Sequence, residues 1–442
     1  MSWSETKTIL DAVEEVSGKV IPLQIKAQAP VGSTIVCHRG SISFTEEVDA
    51  EGFAYFDVPS FGVWTLNATR GAADSKTVTV DCTEHKQYLV EISYTTIYGI
   101  QRDVTDSSPA WTRTNAAVGL TAAAYVGTSG GHSDFDTKMP WSGIVRENVG
   151  NDVMVKIPKF WYRRYKVGNV EHIEIADGEY TGFSVHPAFL KAGHEYPYIY
   201  VGAYKTWDSK SQSGKAPQVN ITRGTFRSNA RNKGTGWGII DLATVSAIQM
   251  LILVEYANNN TQAKIGRGYC DGNSAAINTG SCDSMYAAGA HTGRPSGTDG
   301  KTDVIYRGIE GFWGNVWEWT DGLNFNNGTY YVCNDPSKYA DDTASNYTQL
   351  SYTGSTSWSQ SYIKTEGFDA NNPWAMMPSE AGSGSDSTYM CDGIWSSTGW
   401  RVFSRGGCWN LASLDGLFAA NVSLASSDAS TYLGSRLLYL PS

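Results

Sequence analysis

At 442 residues, with 18% charged and 41% hydrophobic side chains, the chain is too long for one ordinary core and too apolar to be disordered, so two domains are expected. A formal net charge of −10 and the lack of any basic stripe exclude an electrostatic nucleic-acid binder. The 46 Gly, 15 Trp and 25 Tyr describe turns and loops pinned by large rings, the composition that a loop-rich binding fold needs.

Residues 1–17 read as a short amphipathic helix, with Ser4 as its cap and Ile9, Ala12, Val13 and Val16 at helical spacing. This stretch has neither the basic start nor the apolar middle of a signal peptide. No run approaches roughly 18 consecutive apolar residues, so membrane insertion is not expected. The period then changes. Val20–Ala29, Ser33–His38, Phe53–Val58, Gly62–Ala68, Lys76–Val80 and Gln87–Ile92 alternate, with turn residues between them at Pro30–Gly32, Arg39–Gly40, Glu51–Gly52 and Pro59–Ser60. Short strands at that spacing predict a small antiparallel, immunoglobulin-like β-sandwich over 18–95, a spacer or attachment module without chemistry of its own.

The second domain is expected over 96–442. Ser107–Thr114 and Asp134–Trp141 look like ordered loops pinned by aromatics, and His132, Asp134 and Asp136 form a weak metal-like cluster that, without fixed ligand spacing, reads better as a solvated polar loop. Asp152–Tyr165 reads as a strand interrupted at Pro158. Asp241–Ala257 is the strongest helix. Asp241 caps it, Leu242, Val245, Ile248, Ile252 and Tyr256 share a face, and Asn258–Asn260 stops it. It is apolar nearly all round and therefore expected inside the domain. Residues 260–300 and 322–390 are long, polar and rich in Gly, Ser and Asn, and so read as functional or scaffold-held loops.

Seven scattered cysteines without a C-x-x-C pair fit buried thiols better than a disulfide framework, although Cys270 and Cys282 could meet across a loop. There is no H-E-x-x-H, Walker, G-x-S-x-G or Rossmann motif, and the seven histidines are scattered. Glu318, between Trp317 and Trp319, reads as a buried hydrogen-bond acceptor. No catalytic residue, metal or cofactor is expected.

Two features stand out. In Gly314-Asn-Val-Trp-Glu-Trp319 a Gly–Asn turn feeds a strand whose two Trp side chains share a face, with Val316 and Glu318 on the other. Farther on, Ser404-Arg-Gly-Gly-Cys-Trp409 and Gly434-Ser-Arg436 bracket a stretch of small, polar and apolar residues. Window 410–435 contains no Trp, Met, Lys, Gln or Glu, the types that codons ending in a pyrimidine cannot encode.

Those three ordered motifs resemble the C-type lectin fold in its formylglycine-generating-enzyme branch, over roughly 140–442. The expected fold class is thus α+β, a lectin-like domain preceded by the β-sandwich. The enzymes of that branch use a copper-binding cysteine pair near the C-terminus. Here that stretch holds only Cys408, with Cys391 set apart by Trp395 and Trp400. The chain is more similar to the variable, phage tropism-determinant-like proteins of diversity-generating retroelements. In these, the residues between Arg-Gly-Gly-x-Trp and Gly-x-Arg are rewritten by adenine mutagenesis.

The resemblance implies a receptor-binding protein of a phage tail, made in the bacterial cytoplasm and carried on the virion, with a variable region at about 404–436. Its framework would be Gly314, Asn315, Trp317, Glu318, Trp319, Arg405, Gly406, Gly407, Trp409, Gly434 and Arg436, with Gly416, Leu417 and Phe418 helping to fix the backbone. Its exchangeable ligand-binding face would comprise Cys408, Leu411, Ser413, Leu414, Asp415, Ala420, Asn421, Ser423, Ser426, Ser427, Asp428, Ser430 and Tyr432. The implied partners are a host cell-surface protein or glycan and other phage tail proteins, in a homo-oligomer, with a trimer expected. A metal-dependent oxidase of the same fold and a bacterial surface adhesin are the alternatives.

Overall fold

The computed structural model describes residues 23–70, 74–91, 95–272 and 274–441, and the expected N-terminal helix lies outside them. The chain divides into two compact units, 1–96 and 97–442. In the first, Gln24–Gln28 lies between Phe53–Asp57, which is antiparallel to it, and Gln87–Glu91, which is parallel. A second sheet has the order Ile42–Glu47, Thr34–Arg39, Gly62–Arg70, Asp74–Cys82. The alternating residues Ile25, Ala27, Ile35, Cys37, Phe56, Trp64 and Leu66 share one buried core. Strand Ile42–Glu47 has no counterpart in the sequence reading. It is an edge strand with no buried residue, so no burial on either face imposes alternation.

Strands dominate the second unit. One sheet runs in the order Ser184–Val185, Trp161–Val167, Val170–Ala176, Ile97–Asp103, Thr112–Asn115. Asp152–Tyr165 is therefore two strands in different sheets, broken after Pro158, because Asp152–Pro158 pairs with Tyr198–Lys205 in the larger sheet. Among the described residues that larger sheet has 13 strands. At its middle lies Trp317–Asn326, parallel to Leu433–Tyr439 on one side and antiparallel to Trp400–Arg405 on the other. The region 322–390, expected to be loop, carries strands at Thr329–Val332, Thr348–Thr353, Ser361–Glu366 and Pro378–Ala381. Their polar, weakly alternating sequences hid them.

The helix forms at Leu242–Tyr256, and all 15 of its residues are buried. Asp241 caps it by accepting from the Thr244 N–H at 2.9 Å, and Ala257, in the left-handed conformation at φ 49°, ends it one residue before the asparagines. Its last turn carries Glu255, buried and paired with Arg307 at 2.7 Å and with the Tyr306 hydroxyl at 2.8 Å. Trp141 Nε1 donates to the Leu251 carbonyl at 3.1 Å and Trp111 Nε1 to Asn259 Oδ1 at 2.7 Å, which is how rings pin the two early loops. His132, Asp134 and Asp136 are dispersed among separate bonds, His132 and Asp134 to Thr121 and Asp136 to Arg307. All seven cysteines are buried free thiols, so Cys270 and Cys282 do not pair. Among the described residues no helix is long and apolar enough to cross a membrane.

Candidate functional site

The three sequence motifs meet in the interior. Gly314 and Asn315 both adopt positive φ, 79° and 67°, and make the turn that their types predict. Gly314 N–H donates to the Gly406 carbonyl at 2.8 Å, and Trp409 N–H to the Asn315 carbonyl at 3.1 Å, so the first motif is joined to the second through backbone. Trp317 N–H then donates to the Tyr432 carbonyl at 2.8 Å, just before the third motif. Trp317, Trp319, Trp409, Cys408, Leu433 and Val316 belong to one buried cluster.

Glu318 faces a knot of three cations. Arg436 Nε donates to its Oε1 at 2.8 Å and Lys205 Nζ at 3.1 Å, while Arg405 Nη1 donates to Oε2 at 3.1 Å. Burial would raise the pKa of this carboxyl. Arg436, then Lys205 and Arg405, overcome that and hold it down at about 2. Arg436 also donates to the carbonyls of Gly202, Glu310 and Gly311 at 2.7, 2.8 and 3.0 Å. Arg405 lies over the Phe312 ring at 3.7 Å. Each motif contributes one member of the knot. Lys205 comes from elsewhere, and its only trace in the sequence is a charge closing the apolar run Tyr198–Tyr204.

All eleven framework residues, Gly314, Asn315, Trp317, Glu318, Trp319, Arg405, Gly406, Gly407, Trp409, Gly434 and Arg436, are buried. The candidate exchangeable residues divide. Cys408, Asp415, Ala420 and Asn421 are buried, against the expectation of an exposed face. Ala420 and Asn421 belong to a strand, Ala420–Leu424, held between Gly393–Ser396 and Trp400–Arg405. Asp415 turns inward to accept the Cys408 N–H at 3.0 Å, leaving Gly407 no room for a Cβ. Asp392, unsuspected in the sequence, does the same for the Phe418 N–H at 2.7 Å, and Gly416 leaves it space. Burial raises the pKa of both carboxyls.

The others reach the surface in two stretches. In the first, Ala412 N–H donates to the Cys270 carbonyl at 2.9 Å, and Gln262 Nε2 to the Ala412 carbonyl at 3.0 Å. That fixes a turn from which half-exposed Leu411, Ser413 and Leu414 project, with Ser413 Oγ 2.7 Å from the Tyr362 hydroxyl. In the second, Asp428 Oδ2 accepts the Ala425 N–H at 2.8 Å, and the Ser430 carbonyl accepts the Asn220 N–H at 3.0 Å. Ser423, Ser426, Asp428 and Ser430 are half-exposed, and Ser427 and Tyr432 are exposed. Ser426 Oγ bonds to Asp342. Half-buried Leu411, Leu424 and Trp395 border this face against the Trp317–Trp409 cluster, and Trp395 meets Trp317 edge-on at 5.3 Å. The result is an apolar-rimmed surface on a backbone fixed from beneath.

No protein-family model matches the chain, and no curated protein does. Among solved structures, the chain is similar to the Major Tropism Determinant P3c variant, at 11% identity and a TM-score of 0.27 over 86% of this chain and 83% of that one. The U1 variant is similar at 10% identity and a TM-score of 0.26, and the I1 variant at 11% and 0.26, each with the same coverage of both chains.

Proposed function

We propose that the chain is a receptor-binding protein of a phage tail, and not an enzyme, whose C-terminal segment is diversified by a retroelement to change the host-surface ligand. One observation carries this reading. Leu411, Ser413, Leu414, Ser423, Ser426, Ser427, Asp428, Ser430 and Tyr432 are half-exposed or exposed, on stretches whose backbone is held at Ala412 by Gln262 and the Cys270 carbonyl, at Ser430 by the Asn220 N–H and at Tyr432 by the Trp317 N–H. Most core substitutions cost about 0.5–3 kcal/mol, so many simultaneous changes survive only where side chains face solvent. Leu411, Leu414 and Tyr432 would supply apolar anchors and the Ser and Asp residues adaptable hydrogen bonds, as antibody loops do. The residue palette of 410–435 supports the retroelement part of the reading.

On the same reading the second unit is a lectin-like domain of the formylglycine-generating-enzyme type. The first unit attaches it to other tail proteins, several copies act together, and a homotrimer supplies avidity for a host protein or glycan. The test is to exchange the nine surface residues together. A melting temperature within a few degrees and a changed cell-surface partner are expected. Collapse of folding, or an unchanged partner, overturns the assignment. Stoichiometric copper or iron in the purified protein would return the oxidase alternative.

A further inference from the structure

Beside the Leu411–Leu414 turn the surface opens into a depression of about 340 Å3, lined by Gln262, Arg267, Arg294, Asp299, Asp386 and Ser413. Its size lies at the lower end of small-ligand pockets, roughly 300–1,000 Å3. Only Ser413 of the lining belongs to the candidate exchangeable set. The remaining wall lies outside that set, although Gln262 Nε2 also holds the Ala412 carbonyl at 3.0 Å. Arg294 Nε pairs with Asp299 Oδ2 at 3.2 Å, Asp299 Oδ1 accepts the Arg267 N–H at 2.7 Å, and Arg267 Nε donates to Asp271 Oδ2 at 2.7 Å. Gln262 Nε2 donates to the Arg267 carbonyl at 3.1 Å, and Asn260 Nδ2 to the Asp386 carbonyl at 2.7 Å.

Arg294 Nη1 also donates to the Ile265 carbonyl at 3.2 Å, and Arg267 Nη2 also bonds Asp271, which leaves Arg267 Nη1 and Arg294 Nη2 as the guanidinium nitrogens without a bond to a described residue. A guanidinium carries five N–H donors and a carboxylate about four acceptor positions. The Asp386 carboxylate has no hydrogen-bond partner among the described residues, and Asp386 is exposed. With Asp271, which Arg267 binds, three carboxylates stand against two guanidinium groups, so an acidic segment is not drawn in, and the Asp386 carboxylate is the one left without a cation partner among the described residues. Apart from Ala263, every lining residue is polar or charged, so there is no slot for the aromatic or aliphatic anchors that dominate protein contacts. A hydroxyl group fits such walls, because it donates to a carboxylate and accepts from a guanidinium at once.

We propose that this depression is a saccharide subsite, in which the constant Arg and Asp walls hold the hydroxyls of a neutral terminal sugar and residue 413 selects among sugars. The selection rests on the reading that position 413 is exchangeable; the subsite does not. A single shallow pocket of this kind binds weakly, and several copies on one particle make it effective.

The probes are the methyl glycosides of glucose, galactose, rhamnose and N-acetylglucosamine, with an acidic and a basic pentapeptide beside them. They are offered to the full chain by saturation-transfer NMR and calorimetry. At least one neutral glycoside is expected to bind, Asp386→Ala to weaken it about tenfold at unchanged melting temperature, and Ser413→Tyr to reorder the preference. No glycoside bound, binding of a peptide alone, or glycoside binding untouched by both Asp386→Ala and Arg294→Ala overturns the subsite. Sugar binding lost in Asp386→Ala with its order unchanged in Ser413→Tyr leaves the subsite and removes 413 from the exchangeable set. A partner change on exchanging Leu411, Leu414 and Tyr432, with no sugar bound at all, does the reverse.

Discussion

Two kinds of stretch alternate within the last forty or so residues. Asp415–Val422 and Leu433–Leu438 are buried and spend their polar groups on the interior, whereas Leu411–Leu414 and Ser423–Tyr432 are largely open and bond mainly through backbone. Small, polar and apolar residues occur in both. What separates them is which backbone lies in the middle of the sheet and which turns out of it. Rigidity in this segment therefore resides mostly in main-chain bonds and buried carboxylates, and among the described residues Asp428 alone of the displayed side chains accepts from the backbone, at the Ala425 N–H.

The largest blow to that contrast should come from Glu318→Ala. It leaves Arg436, Lys205 and Arg405 buried beside one another without their counter-charge. Breaking a buried pair in this way costs about 3–5 kcal/mol, and urea unfolding of the second unit should show it. Next comes a pair of glycines. Gly407 and Gly399 share nearly the same φ, 79° and 81°, but a Cβ at Gly407 would strike the Asp415 carboxylate, whereas at Gly399 it meets open space. Gly407→Ala should cost about 1–3 kcal/mol more than Gly399→Ala, read as the difference in urea midpoint.

Acid and base should act oppositely on the two classes of buried carboxyl. Glu318 has its pKa lowered to about 2, so the stability it contributes is present above the ordinary carboxylate range and is lost as pH falls from about 4 toward 2. Asp415 and Asp392 have theirs raised by burial, so their contribution is complete below about pH 4 and is lost as pH rises. Asp415→Asn should flatten the fall in melting temperature as pH rises above about 4 and leave the acid limb unchanged. A slope identical to that of the parent would mean Asp415 is ionised in the folded state. The smallest effect belongs to the open stretch. Ser427→Ala and Tyr432→Ser should each stay within about 0.5 kcal/mol of the parent by thermal melting. A loss as large as that of Gly407→Ala would erase the distinction between the two stretches.

Much of this was readable in advance, for identifiable reasons. Asp241 and the apolar run behind it specify a buried helix by local chemistry alone, and Gly314–Asn315 specify a turn because those two types tolerate positive φ. Burial of the framework glycines, tryptophans and arginines followed from motifs. Placement of Cys408, Asp415, Ala420 and Asn421 did not, because strand Ala420–Leu424 is buried only once Gly393–Ser396 and Trp400–Arg405 close over it.

Alternation and capping thus determined most of the first unit's strands, Ile42–Glu47 excepted, and the long helix. Tertiary structure alone decided that Lys205 joins Glu318 across 113 positions, that Asp392 and Asp415 turn inward, and that Arg267, Arg294, Asp299 and Asp386 surround Ser413. The physical reason is range. Propensity and period act over a few neighbouring residues, whereas a buried charge or a shared pocket depends on which distant strands and loops are brought side by side.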